Sequence, residues 1–140
     1  MIKAVVFDLG EVLSSPPSLL PELSERIGVP KDEIKEHYWK GRVEYDAGSP
    51  ERAYWGPLLD AVGADSSDEE LIADLAHLDA DIWSNLRPAA WQLLRDVRGA
   101  GVTVAVLSNS PRAMQQAADK AVWRADVDHL YVSATLGAIK

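Results

Sequence analysis

The chain has 140 residues, 47% of them apolar, which suits one globular domain with a real hydrophobic core, and its five Trp and four Tyr argue against disorder. With 22 acidic against 14 basic side chains the net charge is -8, and no basic patch interrupts it, so nucleic acid and anionic membranes are excluded as expected partners. The absence of cysteine rules out disulfides and thiolate metal sites, and the N-terminus reads as neither a signal peptide nor a membrane span, so the expected location is cytoplasmic.

Ala4 to Phe7 is continuously apolar and predicts a strand buried on both faces, as parallel sheets require, ended by Asp8. Ser14-Ser15-Pro16-Pro17 breaks regular structure and leads into a helical stretch reaching about residue 84. Leu19, Leu20, Leu23 and Ile27 follow helical spacing up to Gly28. Pro30, Asp32 and Glu33 start a second helix carrying Ile34, His37, Tyr38 and Val43, ending near Gly48. Ser49 and Pro50 open a third that buries Tyr54, Leu58 and Val62, with a kink expected at Gly56-Pro57. A capping box from Ser67 to Glu70 opens a fourth, with Leu71, Ile72, Leu75, Leu78 and Ile82 on one face.

The α/β pattern then resumes. Pro88 opens a helix with Trp91, Leu94 and Val97 inward, closed by Gly99-Ala100-Gly101, and Thr103 to Leu107 predicts a second buried strand. Ser110-Pro111 begins a helix burying Met114, Ala118 and Ala121, and Leu130 to Ser133 reads as a third strand. A helical module of residues 15–85 thus interrupts an α/β unit of residues 1–14 and 86–140.

In open parallel sheets, ligands sit beyond the carboxyl ends of the strands. The polar residues there are Asp8, Ser108 and the segment leading to Lys140. A carboxylate can attack phosphorus, a hydroxyl can orient a phosphoryl oxygen, and an ammonium can offset charge on both. His37, His77 and His129 are scattered and do not form a metal site, and no glycine-rich nucleotide loop, nucleophile-elbow serine or zinc signature is present. Trp39, Tyr45, Trp55 and Trp83 are read as packing rather than as walls of a substrate pocket, and Asp79 and Asp81 as solvated surface.

The segments VVFDLGEVL, VAVLSNS and VSATLGAIK resemble, in order, the first three motifs of the haloacid dehalogenase-like hydrolases, and the helices between the first two resemble the four-helix cap that many members insert there. The resemblance spans nearly the whole chain. It implies a Rossmann-like parallel sheet and a Mg2+-dependent phosphatase of small phosphorylated metabolites working through an aspartyl-phosphate. It further implies Asp8 as nucleophile and metal ligand, the Gly10 carbonyl as a second metal ligand, Ser108 and the Asn109 amide as phosphate binders, and Lys140 as the group holding nucleophile and phosphate together. Within the family the chain is most similar to the group of sugar-phosphate phosphatases and the phosphatase domain of soluble epoxide hydrolase.

Two departures modify that expectation. Gly10 stands where most family phosphatases carry a second aspartate serving as general acid and base, leaving Glu11 as the only nearby substitute. The family also continues beyond its lysine to paired aspartates that complete the Mg2+ site. The 140 residues are therefore read as a fragment, a truncated frame or a remnant, with an incomplete Mg2+ site and little or no phosphatase activity. The alternatives are a 2-haloacid dehalogenase, which also lacks the second aspartate and needs no metal, and a non-catalytic interaction module. In the family's strand order the strand beside β1, the strand ending at Asp8, would be missing, so self-association through an exposed edge is expected. Light scattering at micromolar concentration checks this, and a monodisperse monomer contradicts it.

Overall fold

The structure, a computed structural model, describes residues 1–140. Three parallel strands, β1 (Ala4–Phe7), β2 (Thr103–Ser108) and β3 (His129–Val132), lie in the order β1-β2-β3, with Phe7 beside Val106 and Ser108 beside Val132. Because all three run the same way, Asp8, Asn109 and Ser133 follow their carboxyl ends on one side of the sheet. Between β1 and β2 the chain forms α1 (Leu19–Ile27), α2 (Lys31–Tyr38), α3 (Arg42–Asp46), α4 (Glu51–Ala61), α5 (Glu69–Trp83) and α6 (Pro88–Gly99). Helix α7 (Arg112–Lys120) and a 3-10 turn (Val122–Asp126) join β2 to β3, and α8 (Ser133–Leu136) follows. This is the α/β architecture expected, with an inserted helical unit.

The buried apolar side chains fall into two clusters. One, of 14 residues from α1 to α5, centres on Leu23, Ile34, Tyr38, Trp55, Leu59 and Leu75. The other, of 10 residues, joins Val104 and Val106 to Leu94, Met114 and Trp123. Trp83, at the end of α5, packs against both and forms the joint between them.

Three local expectations are corrected. Strand β1 is not buried on both faces: α6 and α7 cover the face bearing Val104 and Val106, while Val6 and, in β3, Tyr131, which the period of two places on the opposite face, are 61% and 43% exposed; β2 between them keeps Val104, Ala105 and Val106 buried. The helix expected from Pro30 to Gly48 is two, because Gly41 adopts a left-handed conformation (φ 73°) that ends regular winding and lets α3 leave at a new angle. The cap of α5 is Asp68 rather than Ser67, its carboxylate accepting from the Leu71 amide at 3.0 Å. The third strand also ends one residue early, since Ser133 turns into α8 and its carbonyl accepts from the Gly137 amide at 2.8 Å. No helix is long and apolar enough to cross a membrane.

Candidate active site

Directly after β1 the backbone folds into a tight turn in which the Leu9 carbonyl accepts from the amides of Leu13 and Ser14 at 2.9 and 3.0 Å. Buried Leu9 and Leu13 anchor this turn in the sheet-side core. Asp8 is thereby left half-exposed, its Oδ1 accepting from the Leu9 amide at 2.8 Å. Lys140 Nζ stands 3.0 Å from the same oxygen and donates to the Leu107 carbonyl at 3.1 Å. The Lys140 amide is held by the Asn109 side chain, whose Oδ1 accepts at 2.9 Å. Asn109, expected to act through its amide, thus also fixes the segment that brings Lys140 to Asp8.

A cleft of about 260 Å³ opens between the sheet ends and the helical unit. All six residues singled out from the sequence, Asp8, Gly10, Glu11, Ser108, Asn109 and Lys140, line it. Ser108 is buried and shares a 2.5 Å hydrogen bond with Ser110 Oγ, so when Ser110 donates, the Ser108 proton is free for a ligand. Glu11, at φ 61°, has its carboxylate tied to the Ser15 hydroxyl at 2.9 Å. A Cβ on Gly10 would meet only Trp83 Cζ3, at an ordinary 3.7 Å.

The opposite wall was not foreseen. Trp39 and Trp83 line the cleft, against the expectation that they only pack, whereas Tyr45 and Trp55 are buried as expected. Asp79 is not solvated surface but 1% exposed. It sits one turn beyond Leu75 on the buried stripe of α5, a spacing that pointed inward. Arg42 Nη2 lies 3.0 Å from Asp79 Oδ2, an ion pair whose angle leaves that oxygen without a hydrogen bond. Arg42 also pairs with Asp46 at 3.1 Å and donates to the Tyr38 hydroxyl at 2.8 Å, and that hydroxyl donates to Asp79. Burial opposes the Arg42 charge, but Asp79 and Tyr38 beside it outweigh that and hold it protonated more firmly than usual. An arginine this fully paired has its charge spent internally.

Burial pushes the Asp46 carboxyl up from 3.8 to about 6, despite Arg42. The folded chain therefore keeps a proton that the unfolded chain has already released in that window. The stability contributed by the protonated form is full below 3.8 and is lost as pH rises through about 6. Asp46→Asn, neutral throughout, should flatten this part of the profile, read as urea midpoints at about pH 4 and about pH 7. Equal pH dependence in both proteins contradicts the assignment.

Tested against magnesium, the site falls short. Asp8 is the carboxylate beside Lys140, its Oδ1 is already engaged, and no cluster of three acidic or histidine side chains suited to a metal exists among residues 1–140. Asp8 Oδ2 and the Gly10 carbonyl leave most of an octahedral shell to other donors.

The model of the haloacid dehalogenase-like hydrolase family matches residues 2–139. Among solved structures, the chain is similar to L-2-haloacid dehalogenase from Xanthobacter autotrophicus with chloropropionic acid covalently bound, at 22% identity and a TM-score of 0.75. That match covers all of this chain and 60% of the other. It is also similar to a HAD family enzyme from Bacteroides thetaiotaomicron in complex with magnesium and inorganic phosphate, at 15% identity and a TM-score of 0.69, covering 100% and 73%. A HAD-like family hydrolase from Porphyromonas gingivalis aligns at 19% and 0.65, covering 100% and 70%. At such identities the likeness shows the fold alone. Comparison with curated proteins finds no match.

Proposed function

Because the chain belongs to the haloacid dehalogenase-like hydrolase family, we propose that its cleft hydrolyses a small anionic substrate, a phosphate monoester of a metabolite, through a covalent intermediate on Asp8. The observation that carries this is the 3.0 Å approach of Lys140 Nζ to Asp8 Oδ1 at the mouth of a cleft that Ser108 also lines. Asp8 Oδ2 attacks phosphorus and the ester P–O bond breaks. Water then attacks the acyl phosphate, releases phosphate and restores the carboxylate. Lys140 offsets charge on nucleophile and phosphoryl group, and Ser108 donates to a phosphoryl oxygen. At position 10 a glycine offers no carboxyl to protonate the leaving group, so that proton comes from water and turnover is slow. Magnesium, bound with the help of further donors, would supply charge stabilisation; the steps above rest on this chain's own groups.

A second reading, dehalogenation of a 2-haloacid, is favoured by one observation: Asp8 stands beside Lys140 without a second carboxylate at position 10. A halide leaves without a proton, so neither a general acid nor a metal is required. Phosphate release from an aryl phosphate with Mg2+ is set against halide release from 2-chloropropionate with a chelator, each for the wild type and Asp8→Asn. Phosphate release that depends on Asp8 supports the first reading and chelator-resistant halide release the second. An Asp8→Asn protein of undiminished activity removes both.

A further inference from the structure

Three serines connect the floor of the cleft to the helical unit above it. Ser133 is 2% exposed and does not line the cleft. Its Oγ accepts from the Ser110 amide at 2.9 Å. A hydroxyl has one proton, and the Asp46 main-chain carbonyl at 2.5 Å takes it in preference to the Ser110 carbonyl at 3.2 Å. Ser110 Oγ in turn meets Ser108 Oγ at 2.5 Å. A continuous line thus runs from Asp46, the last residue of α3, through Ser133 and Ser110 to the hydroxyl that faces the substrate.

A second contact marks the same joint. Gly48, just past α3, has φ 116°, and a Cβ there would stand 3.3 Å from the Ala134 carbonyl, so two backbones meet with no side chain between them. The joint holds α3, and with it Arg42 and Asp46 of one cleft wall, at a set distance from Asp8 and Ser108 of the other. It also fixes the Ser110 backbone. That orients Ser110 Oγ toward Ser108, and when Ser110 donates in this pair the Ser108 proton is left for the ligand. Ser133 links these two functions through a single oxygen, which both donates to the helical unit and accepts from the loop after β2.

We propose that Ser133 is a positioning residue that locks the Ser108–Ser110 segment to α3 and so sets how tightly the cleft grips the anionic end of its substrate. The proposal rests on the Asp8-centred reading above. The probe is inorganic phosphate, titrated onto the full chain and followed by the amide resonances of Ser108 and Asn109, with KM and kcat for an aryl phosphate alongside. Ser133→Ala should weaken phosphate binding and raise KM by about tenfold, with a smaller change in kcat. Ser133→Thr, which keeps the hydroxyl, should restore most of the loss. If Ser133 acts through Ser108, adding Ser133→Ala to Ser108→Ala costs nothing further.

Phosphate affinity unchanged in Ser133→Ala, or an equal further loss in the double variant, overturns the proposal. Should Ser133→Ala fail to fold, Gly48→Ala pries at the same joint with the hydroxyl intact. It must then weaken phosphate binding in the wild-type background but not with Ser108→Ala; any other pattern overturns the proposal. A wild type that binds phosphate but hydrolyses no ester removes the proposed function and leaves the positioning role to be judged on binding. A wild type that binds no phosphate removes both.

Discussion

Asp8→Asn lowers turnover by about 10^4-fold or more while leaving the fold in place. The amide oxygen can still accept from the Leu9 amide, and the half-exposed side chain at the end of β1 contributes little to the core. What disappears is the nucleophile: an amide oxygen does not form an acyl phosphate or an ester. Because Lys140 also loses its anionic partner at 3.0 Å, phosphate affinity should rise or stay level as kcat collapses. That opposition between binding and turnover separates loss of the nucleophile from general damage. A fall in both, with a lowered unfolding midpoint, would point to a structural Asp8.

Gly10→Asp is expected to raise phosphate-ester turnover by about a hundred- to ten-thousand-fold, the usual worth of general acid and base assistance. The substitution is sterically open. Gly10 is not in a left-handed conformation, and a Cβ there meets only Trp83 Cζ3 at 3.7 Å. Position 10 lines the same cleft as Asp8 and lies two residues beyond it, so a carboxyl at this point can reach the leaving oxygen and later a water. Glu11 lines the same cleft, with one carboxylate oxygen accepting from the Ser15 hydroxyl at 2.9 Å. Gly10→Ala is the control and should change little. If the native reaction is dehalogenation, the added carboxylate repels an anionic haloacid and gives no gain in halide release. A steady-state comparison of the three proteins on both substrates reads the outcome directly.

The residues at the strand ends were legible because their signal is local. Asp8 after an apolar strand, Ser108 at the end of another and a lysine behind SATLG each stand in a short segment that resembles, in order, one of the family's motifs. The opposite wall was not legible, since it depends on how distant helices meet. Tyr38 and Asp79 are 41 residues apart yet share a buried hydrogen bond, and Arg42 joins them only because Gly41 turns α3 away from α2. Trp39 and Trp83 carried the right periodicity for packing, and Trp83 does pack. Their second role as cleft walls follows from where the two clusters meet. The open sheet face escaped for a related reason: an apolar run in a strand reports affinity for cover, not whether helices supply it on both sides.

Ser110 and Ser133 could have been suspected. The alternation Ser108-Asn109-Ser110 places two hydroxyls just past a strand, and a serine ending the next parallel strand lies beside them by register. Nothing in the sequence, however, pairs Ser133 with Asp46, 87 residues away.

The most direct measurement is the mass of the covalent intermediate, caught by acid quench during turnover of an aryl phosphate and located by peptide fragmentation. The account predicts one phosphoryl group on Asp8, absent from Asp8→Asn and more heavily populated when Ser108 and Lys140 are intact. Turnover with no label on Asp8, or with the label on another residue, contradicts it.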